Sequence, residues 1–232
     1  MSRKMSKGNC SFCGETLSKN AVARHFEKCT ALKRGGKKMT WILVQGSGLS
    51  EYWLHVGLSE TAKLKDFDSF LRNIWLECCG HLSSFNISGV QYDAYPDPDP
   101  FFGRPAKSMA SAKVVDVFPT GVKFNYEYDF GTTSELNGKS LGRVELPTSG
   151  EKVVLMARNL PPEIPCGKCG KPAVITCAYC NYEPKGWMCK SCSRDHDCGN
   201  EAFLPVVNSP RTGMCAYGSD EWDESLLMED EE

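Results

Sequence analysis

Residues 166–198 read CGKCGKPAVITCAYCNYEPKGWMCKSCSRDHDC, and their cysteines determine how the C-terminal part of the chain folds. The segment contains three Cys-x-x-Cys pairs, then one histidine and one further cysteine. The eight residues are Cys166, Cys169, Cys177, Cys180, Cys189, Cys192, His196 and Cys198. Eight thiolate and imidazole donors are the number that two tetrahedral zinc ions require. Because so short a segment buries little apolar surface, we expect the two ions to hold it folded.

Two partitions of these eight ligands are open. A cross-braced arrangement joins the first and third pairs on one ion, and the second pair with His196 and Cys198 on the other. A sequential arrangement places the first four cysteines on one ion and the last four donors on the other. We favour cross-bracing, and the spacing resembles the interleaved zinc modules of the MYND and RING type. Either partition fills all four positions of each ion, so the predicted sites are structural and not catalytic.

A second zinc-binding pattern lies near the N-terminus, at Cys10, Cys13, His25 and Cys29. Its spacing is that of a ββα finger with a Cys-Cys-His-Cys ligand set. His25 and Cys29 are four residues apart, on one face of a helix that we expect to start near Ser18. The pattern resembles both nucleic-acid-binding and ubiquitin-binding fingers. Together with the C-terminal sites, it predicts three zinc ions per chain.

The charges of the chain are strongly polarised, although its net charge is only −2. Residues 1–40 contain ten Lys and Arg against two Glu, and residues 219–232 contain eight Asp and Glu with no base. The basic head favours contact with a polyanion, and the acidic tail is predicted to be disordered. The candidate phosphate-contacting residues are Lys19, Arg24, Lys28, Lys33, Arg34, Lys37 and Lys38.

The sequence shows neither a membrane span nor an export signal. No apolar run approaches the ~18 residues of a membrane helix, and the N-terminal Met-Ser-Arg-Lys-Met-Ser-Lys lacks the apolar stretch of a signal peptide. We therefore expect a cytoplasmic protein, in which the thirteen cysteines serve as metal ligands and not as disulfides. Iron is an alternative to zinc wherever four thiolates meet.

The region between the two zinc patterns has the patterning of a mixed domain. Strands are expected at 41–44, 52–56, 122–130, 141–146 and 153–156, with an Asn137-Gly138 turn before the fourth. Apolar residues that recur at three- and four-residue steps predict a helix over 64–78. The sum is an α+β fold, in which a mainly antiparallel sheet carries one packed helix and is flanked by two small zinc-stabilised modules.

We therefore divide the chain into four parts. They are an N-terminal finger (8–31), a middle domain (40–160), a C-terminal module (164–216) and an acidic tail (219–232). Within the middle domain, the helix at 64–85 and the run Tyr128-Asp-Phe-Gly131 resemble the Ri-plasmid open-reading-frame-three-like family, over roughly residues 40–145. The resemblance implies an α+β fold and almost nothing about activity. The family's Asp-x-Trp element is replaced here by Thr132-Thr133-Ser134.

Three functions remain open, and we favour the first. It is a non-enzymatic zinc protein associated with nucleic acid, possibly RNA or a ribonucleoprotein, whose C-terminal module recruits a protein. The second is a protein-interaction adapter that uses both zinc modules, and the third is an enzyme that uses the middle domain. Cys78 falls on the apolar face of the expected helix, so we interpret it as packed and not catalytic. His55 is interpreted as a packed or surface histidine and not as a ligand, and Cys215 is left unassigned.

Overall fold

The computed structural model of the chain describes residues 6–32, 36–99 and 105–219. By its internal contacts the chain forms two compact units. The first comprises residues 1–74 and 81–160, and the second comprises residues 75–80 and 161–232. The predicted acidic tail, apart from Ser219, lies outside the described residues.

One ten-stranded sheet forms the framework of the first unit. Its strands are β1 (Lys7–Cys10), β2 (Thr16–Ser18), β3 (Lys37–Gly46), β4 (Leu49–Ser59), β5 (Ser83–Ile87), β6 (Val90–Asp93), β7 (Lys107–Ser108), β8 (Lys123–Tyr128), β9 (Ser134–Leu146) and β10 (Val153–Asn159). Their order across the sheet is β2-β1-β10-β4-β3-β9-β8-β5-β6-β7. Every neighbouring pair is antiparallel except β6 and β7, which run parallel. The predicted antiparallel sheet is confirmed.

A single longer helix packs on this sheet, as the α+β prediction requires. The helices of the first unit are α1 (Val22–Phe26), α2 (Leu64–Leu71) and α3 (Val114–Val117), and a π-helical segment, Arg72–Leu76, continues α2. The carboxylate of Asp66 accepts a hydrogen bond from the N–H of Lys63 at 2.9 Å, which closes the start of α2. Phe67 on α2 stacks on Phe85 of β5 with ring centroids 5.5 Å apart. Its aromatic ring thereby fixes the helix to the sheet.

The two strands of the N-terminal finger belong to the same sheet. Strand β1 pairs with β10, so that Gly8 lies opposite Asn159 and Cys10 opposite Ala157. A Cβ atom at Gly8 would overlap the ring of Trp53, and only glycine permits this close approach. The apolar side chains of the finger share one buried cluster with the sheet. Its members include Leu17, Val22, Phe26, Met39, Trp53 and Met156.

The predicted turn at Asn137-Gly138 is wrong. Both residues lie inside β9, where Gly138 pairs with Val44 on one side and Phe124 on the other. A Cβ atom at Gly138 would overlap the Phe124 ring, so glycine allows close packing here and does not form a turn. The β8–β9 connection falls earlier, where Asp129 has φ +64° and its side chain accepts a hydrogen bond from the N–H of Gly131 at 3.0 Å.

The second unit has little regular structure. Its elements are β11 (Ile175–Cys177), β12 (Trp187–Met188), α4 (Lys190–Ser193) and β13 (Phe203–Pro205). The three strands form an antiparallel sheet with β11 in the centre. The apolar cluster beneath them consists of Ile175, Cys177, Met188, Ala202 and Phe203. A core of this size is too small to stabilise the unit by apolar burial alone, which is the situation in which metal sites or disulfides are needed.

Candidate metal centres

The N-terminal finger brings its four predicted ligands together. The donor atoms of Cys10, Cys13, His25 and Cys29 all lie within 4.8 Å of one another. Sγ of Cys13 is 3.4 Å from Nε2 of His25. A tetrahedral zinc ion with ordinary bond lengths separates such a pair by about 3.6 Å, so the observed spacing fits a metal ligand set.

The helix of the finger starts later than the sequence predicts. A 3₁₀ turn occupies Lys19–Ala21, and α1 begins at Val22. The hydroxyl of Ser18 makes no capping hydrogen bond. His25 still lies on α1, and the N–H of Lys28 donates to its carbonyl at 2.9 Å, so the helical turn continues towards Cys29.

The first Cys-x-x-Cys loop of the finger and that of the C-terminal module have the same backbone geometry. The N–H of Gly14 donates to the carbonyl of Cys10, and the N–H of Gly170 donates to that of Cys166, both at 2.9 Å. Both glycines have φ +76°, a left-handed conformation that glycine adopts without strain. The tight turn brings both sulfurs of each pair to one metal position, as in zinc-binding loops.

Glu15 supports the histidine ligand of the finger, a role that ligand spacing does not reveal. Oε2 of Glu15 lies 3.2 Å from Nδ1 of His25. Metal-binding imidazoles commonly donate their second ring N–H to a carboxylate, which fixes the ring and directs the other nitrogen to the metal. The sequence feature that could have indicated this role is the acidic residue one position beyond the Cys13-Gly14 turn.

The eight C-terminal donors form two groups of four. The first group is Cys166, Cys169, Cys189 and Cys192, and the second is Cys177, Cys180, His196 and Cys198. This is the cross-braced grouping. In each group a pair of sulfurs from different loops lies 3.6 Å apart. Two thiolates on a tetrahedral zinc ion lie about 3.8 Å apart, whereas a disulfide requires about 2.05 Å. The spacing therefore fits metal ligands and not disulfides.

Two thiols of the first C-terminal group differ in how readily they ionise. A hydrogen bond with the hydroxyl of Ser191, at 3.3 Å, is the main cause that lowers the pKa of Cys189 to about 6. Burial, followed by hydrogen bonds with Cys189 and Cys169, raises the pKa of Cys192 to about 12. The thiols of Cys189 and Cys192 therefore do not ionise over the same pH range. A bound divalent cation reverses this, because it deprotonates the thiols that coordinate it.

His196 in the second C-terminal group has an unsatisfied ring nitrogen. Its Nε2 atom is buried and has no hydrogen-bond partner among the described residues. Such a buried polar atom costs about 1–3 kcal/mol when it has no partner. The ring packs against Phe203 with centroids 5.7 Å apart, which holds its orientation. A metal ion in this group would provide the missing partner.

A fourth group of thiols does not follow from the sequence analysis. Cys78, Cys79 and Cys215 all lie in the second unit, and Sγ of Cys79 is 3.5 Å from the sulfurs of both others. Cys78 was expected to be packed in the helix, and Cys215 is separated from Cys79 by 136 positions in the sequence. The sequence feature that could have indicated this group is the pair of adjacent cysteines at 78–79. With this group, all thirteen cysteines of the chain lie in four clusters that can hold metal ions.

Two of the predicted phosphate-contacting residues are exposed beside the finger's metal group. Arg24 and Lys28 are both exposed, and both line a shallow depression that also contains Cys13 and His25. Neither forms an ion pair with a carboxylate within the part of the chain that the structure describes. Glu15 also lines this depression, so its wall is not uniformly basic.

The other predicted basic residues have different environments. Nζ of Lys19 donates to Oε1 of Gln45 at 2.8 Å and to the carbonyl of Ser50 at 3.2 Å, and partial burial lowers the pKa of this lysine. Lys37 and Lys38 are exposed at the start of β3. Lys33 and Arg34 lie outside the described residues. Of the five that the structure describes, Arg24 and Lys28 are the two that line the depression.

Comparisons with known proteins give no family. No family model matches the chain, and no curated protein matches it. Among solved structures, the chain is similar to a protein of unknown function, MM3350, from Methanosarcina mazei Go1, with a TM-score of 0.45 and 18% identity. The match covers 54% of this chain and 72% of that chain. The Ri-plasmid resemblance therefore stays a prediction.

The described part of the chain contains no helix that could cross a membrane. None of its helices combines the length and the apolar character that crossing a bilayer requires.

Proposed function

We propose that the chain is a non-enzymatic zinc protein whose N-terminal finger contacts the phosphates of nucleic acid, with RNA or a ribonucleoprotein as the partner. The finger's four ligands and the two C-terminal groups would hold three zinc ions. A zinc ion with four protein ligands has no open position for a substrate or an activated water. The three ions therefore have a structural role, and function lies in the surfaces that they hold in place.

The exposure of Arg24 and Lys28 beside the finger's ligand group is the observation that supports nucleic-acid contact. The two residues line the same depression, so they lie on one side of the finger. Because neither is paired with a carboxylate within the described residues, both charges are available to phosphates. Phosphate contacts of this kind provide affinity that is independent of sequence and falls as salt rises.

The test is fluorescence anisotropy with labelled tRNA, ribosomal RNA fragments and duplex DNA, across about 50–200 mM salt. The double variant Arg24→Glu and Lys28→Glu is expected to bind at least about tenfold more weakly. Its slope of log affinity against log salt should be smaller by roughly two, one for each lost phosphate contact. Unchanged affinity in this variant, or no binding by the wild type at the lowest salt, would contradict the proposal.

The matched control is the double variant Lys65→Glu and Lys123→Glu. These two lysines are exposed on α2 and β8, outside the finger, and their reversal changes the net charge by the same amount. We expect it to bind nucleic acid as the wild type does. Zinc content is measured for every variant, so that loss of binding is not confused with loss of the finger's metal.

A second candidate, a protein-interaction adapter, is favoured by one feature of the C-terminal module. Tyr179 and Tyr182, on either side of Cys180, are 68% and 77% exposed. Tyrosine is enriched at the centres of protein interfaces, because it contributes a large rigid contact area. The double change of both tyrosines to alanine should abolish nuclease-resistant capture of a protein partner. Tyr95→Ala is the control, because Tyr95 is equally exposed at 77% and lies in the first unit.

A further inference from the structure

Cys78, Cys79 and Cys215 are the cysteines that the three predicted zinc sites leave over. Sγ of Cys79 lies 3.5 Å from Sγ of Cys78 and 3.5 Å from Sγ of Cys215. These separations are close to the about 3.8 Å of two thiolates on one tetrahedral zinc ion. A disulfide between Cys79 and Cys215 would need about 2.05 Å, so the observed geometry is not that of a cystine.

Exposure argues against simple packing of these thiols. Cysteines without a chemical role are among the most buried residues in proteins. Cys79 and Cys215 are both exposed, and Cys78 is half-buried. Two exposed thiols that converge on a third are better explained by a shared ligand than by apolar burial.

A buried guanidinium lies beside this group. Arg211 is fully buried, and its Nη2 atom lies 3.4 Å from Sγ of Cys78. Arginine stays protonated in proteins, so a positive charge faces this sulfur. The thiolate is the form of cysteine that binds metals. Three thiolates on a divalent cation carry a net charge of −1, which Arg211 complements.

Hydrogen bonds of Ser209 connect the chain near Cys78 and Cys79 to the segment that leads to Cys215. The hydroxyl of Ser209 donates to the carbonyl of Trp75 at 2.5 Å and accepts the N–H of Arg211 at 2.9 Å. Cys215 has φ +52°, a left-handed conformation that costs a residue other than glycine on the order of 1–3 kcal/mol. Such a conformation persists only where the surrounding structure holds it in place.

We propose that Cys78, Cys79 and Cys215 form a fourth metal site, which binds a thiophilic divalent cation such as zinc and joins residues 75–80 to the C-terminal segment of the second unit. The site does not depend on nucleic-acid contact. It raises the expected content from three zinc ions per chain to four.

The test is the zinc content of the full-length chain, purified with reductant and without added metal, by inductively coupled plasma mass spectrometry. We expect four ions in the wild type, and three in each of Cys79→Ser, Cys215→Ser and the variant with both changes. Equal losses from the single and double changes would show that the two thiols share one ion. The control Ala216→Ser changes an exposed neighbour of Cys215 and should keep four.

Two results would overturn this site. One is a content of three ions in the wild type, which decides the question even if a serine variant fails to fold. The other is a Cys79–Cys215 disulfide, found by mass spectrometry after alkylation of the reductant-purified protein. Reconstitution with cobalt(II) gives an independent readout, because the thiolate-to-cobalt absorption must be lower in the folded Cys79→Ser and Cys215→Ser variants than in Ala216→Ser.

Discussion

Trp41 donates its indole N–H to Nδ1 of His55, and the two nitrogens are 2.9 Å apart. His55 is only 2% exposed, and its ring also lies 5.6 Å from that of Trp53. Because Nδ1 accepts a hydrogen bond, the neutral ring carries its proton on Nε2. His55 is therefore a packed residue of the sheet, which is one of the two placements that the sequence left open.

Burial makes His55 a source of acid sensitivity, since it lowers the pKa of the imidazole to about 4. Above pH 6.5 the ring is neutral in both the folded and the unfolded chain, and pH has no effect through it. Between pH 6.5 and 4 the unfolded chain gains a proton and the folded chain does not. Stability should therefore fall with pH by about 1.4 kcal/mol per pH unit, on the order of 3 kcal/mol in total.

Urea unfolding at a series of pH values measures this effect. The variant His55→Gln should lose stability less steeply between pH 6.5 and 4.5 than the wild type. Parallel curves for His55→Gln and the wild type would show that the buried imidazole does not control the acid response.

Glu15→Gln should weaken zinc binding at the N-terminal finger. The carboxylate of Glu15 orients His25, and loss of such a support typically lowers metal affinity 10–100-fold. Competition with a chromophoric chelator measures the affinity. Glu27→Gln changes another exposed carboxylate of the same finger and should leave it intact. If Glu15→Gln and Glu27→Gln bind zinc with the same affinity, Glu15 does not support the metal site.

Two paired substitutions distinguish the cross-braced from the sequential partition. Cys166 and Cys189 lie in the same group, so replacing both with serine should remove one zinc ion. Cys166 and Cys177 lie in different groups, so replacing both should remove two. A sequential arrangement gives the opposite counts. Each variant carries two Cys→Ser changes, so the number of altered thiols is matched.

A buried polar network should dominate the stability of the first unit. The carboxylate of Asp68 accepts hydrogen bonds from Ser83 at 2.6 Å, from Tyr126 at 2.7 Å and from Arg72 at 2.9 Å. Asp68→Ala leaves the guanidinium of Arg72 without this counter-charge and is expected to cost about 3–5 kcal/mol of unfolding free energy. Tyr126→Phe removes one hydrogen bond and should cost about 1 kcal/mol. Urea unfolding measures both, and equal losses would contradict a charge-based network.

Most of the correct predictions come from the spacing of residues that are close together in the sequence. A Cys-x-x-Cys pair places two sulfurs on one metal through a turn of a few residues, so Cys10 with Cys13 and Cys166 with Cys169 can be found without knowledge of the fold. Apolar periodicity likewise locates α2 around Phe67, because both faces of a helix are read within a few turns.

Short-range patterns do not reveal contacts between residues that are far apart in the sequence. Cys215 has no nearby cysteine, and only the fold brings it to Cys79. Gly138 has the local signature of a turn, yet the ring of Phe124 on the neighbouring strand decides its role. Lys19 has the charge of a phosphate ligand, but Gln45 and Ser50 hold its ammonium group. Each of these three outcomes depends on a partner that the one-dimensional pattern does not identify.

The pairing of β1 with β10 changes how the N-terminal finger can be used. Fingers on flexible linkers reorient freely and can adjust to a bound polymer one by one. Here the ladder of hydrogen bonds fixes the backbone of the finger's first strand to the sheet, so a partner of the proposed kind would meet Arg24 and Lys28 on a finger that does not reorient freely. Removal of the finger would also leave the edge of β10 unpaired, and an open edge of this kind invites aggregation. Truncation is therefore a poor way to study this segment, and point substitutions are the better tool.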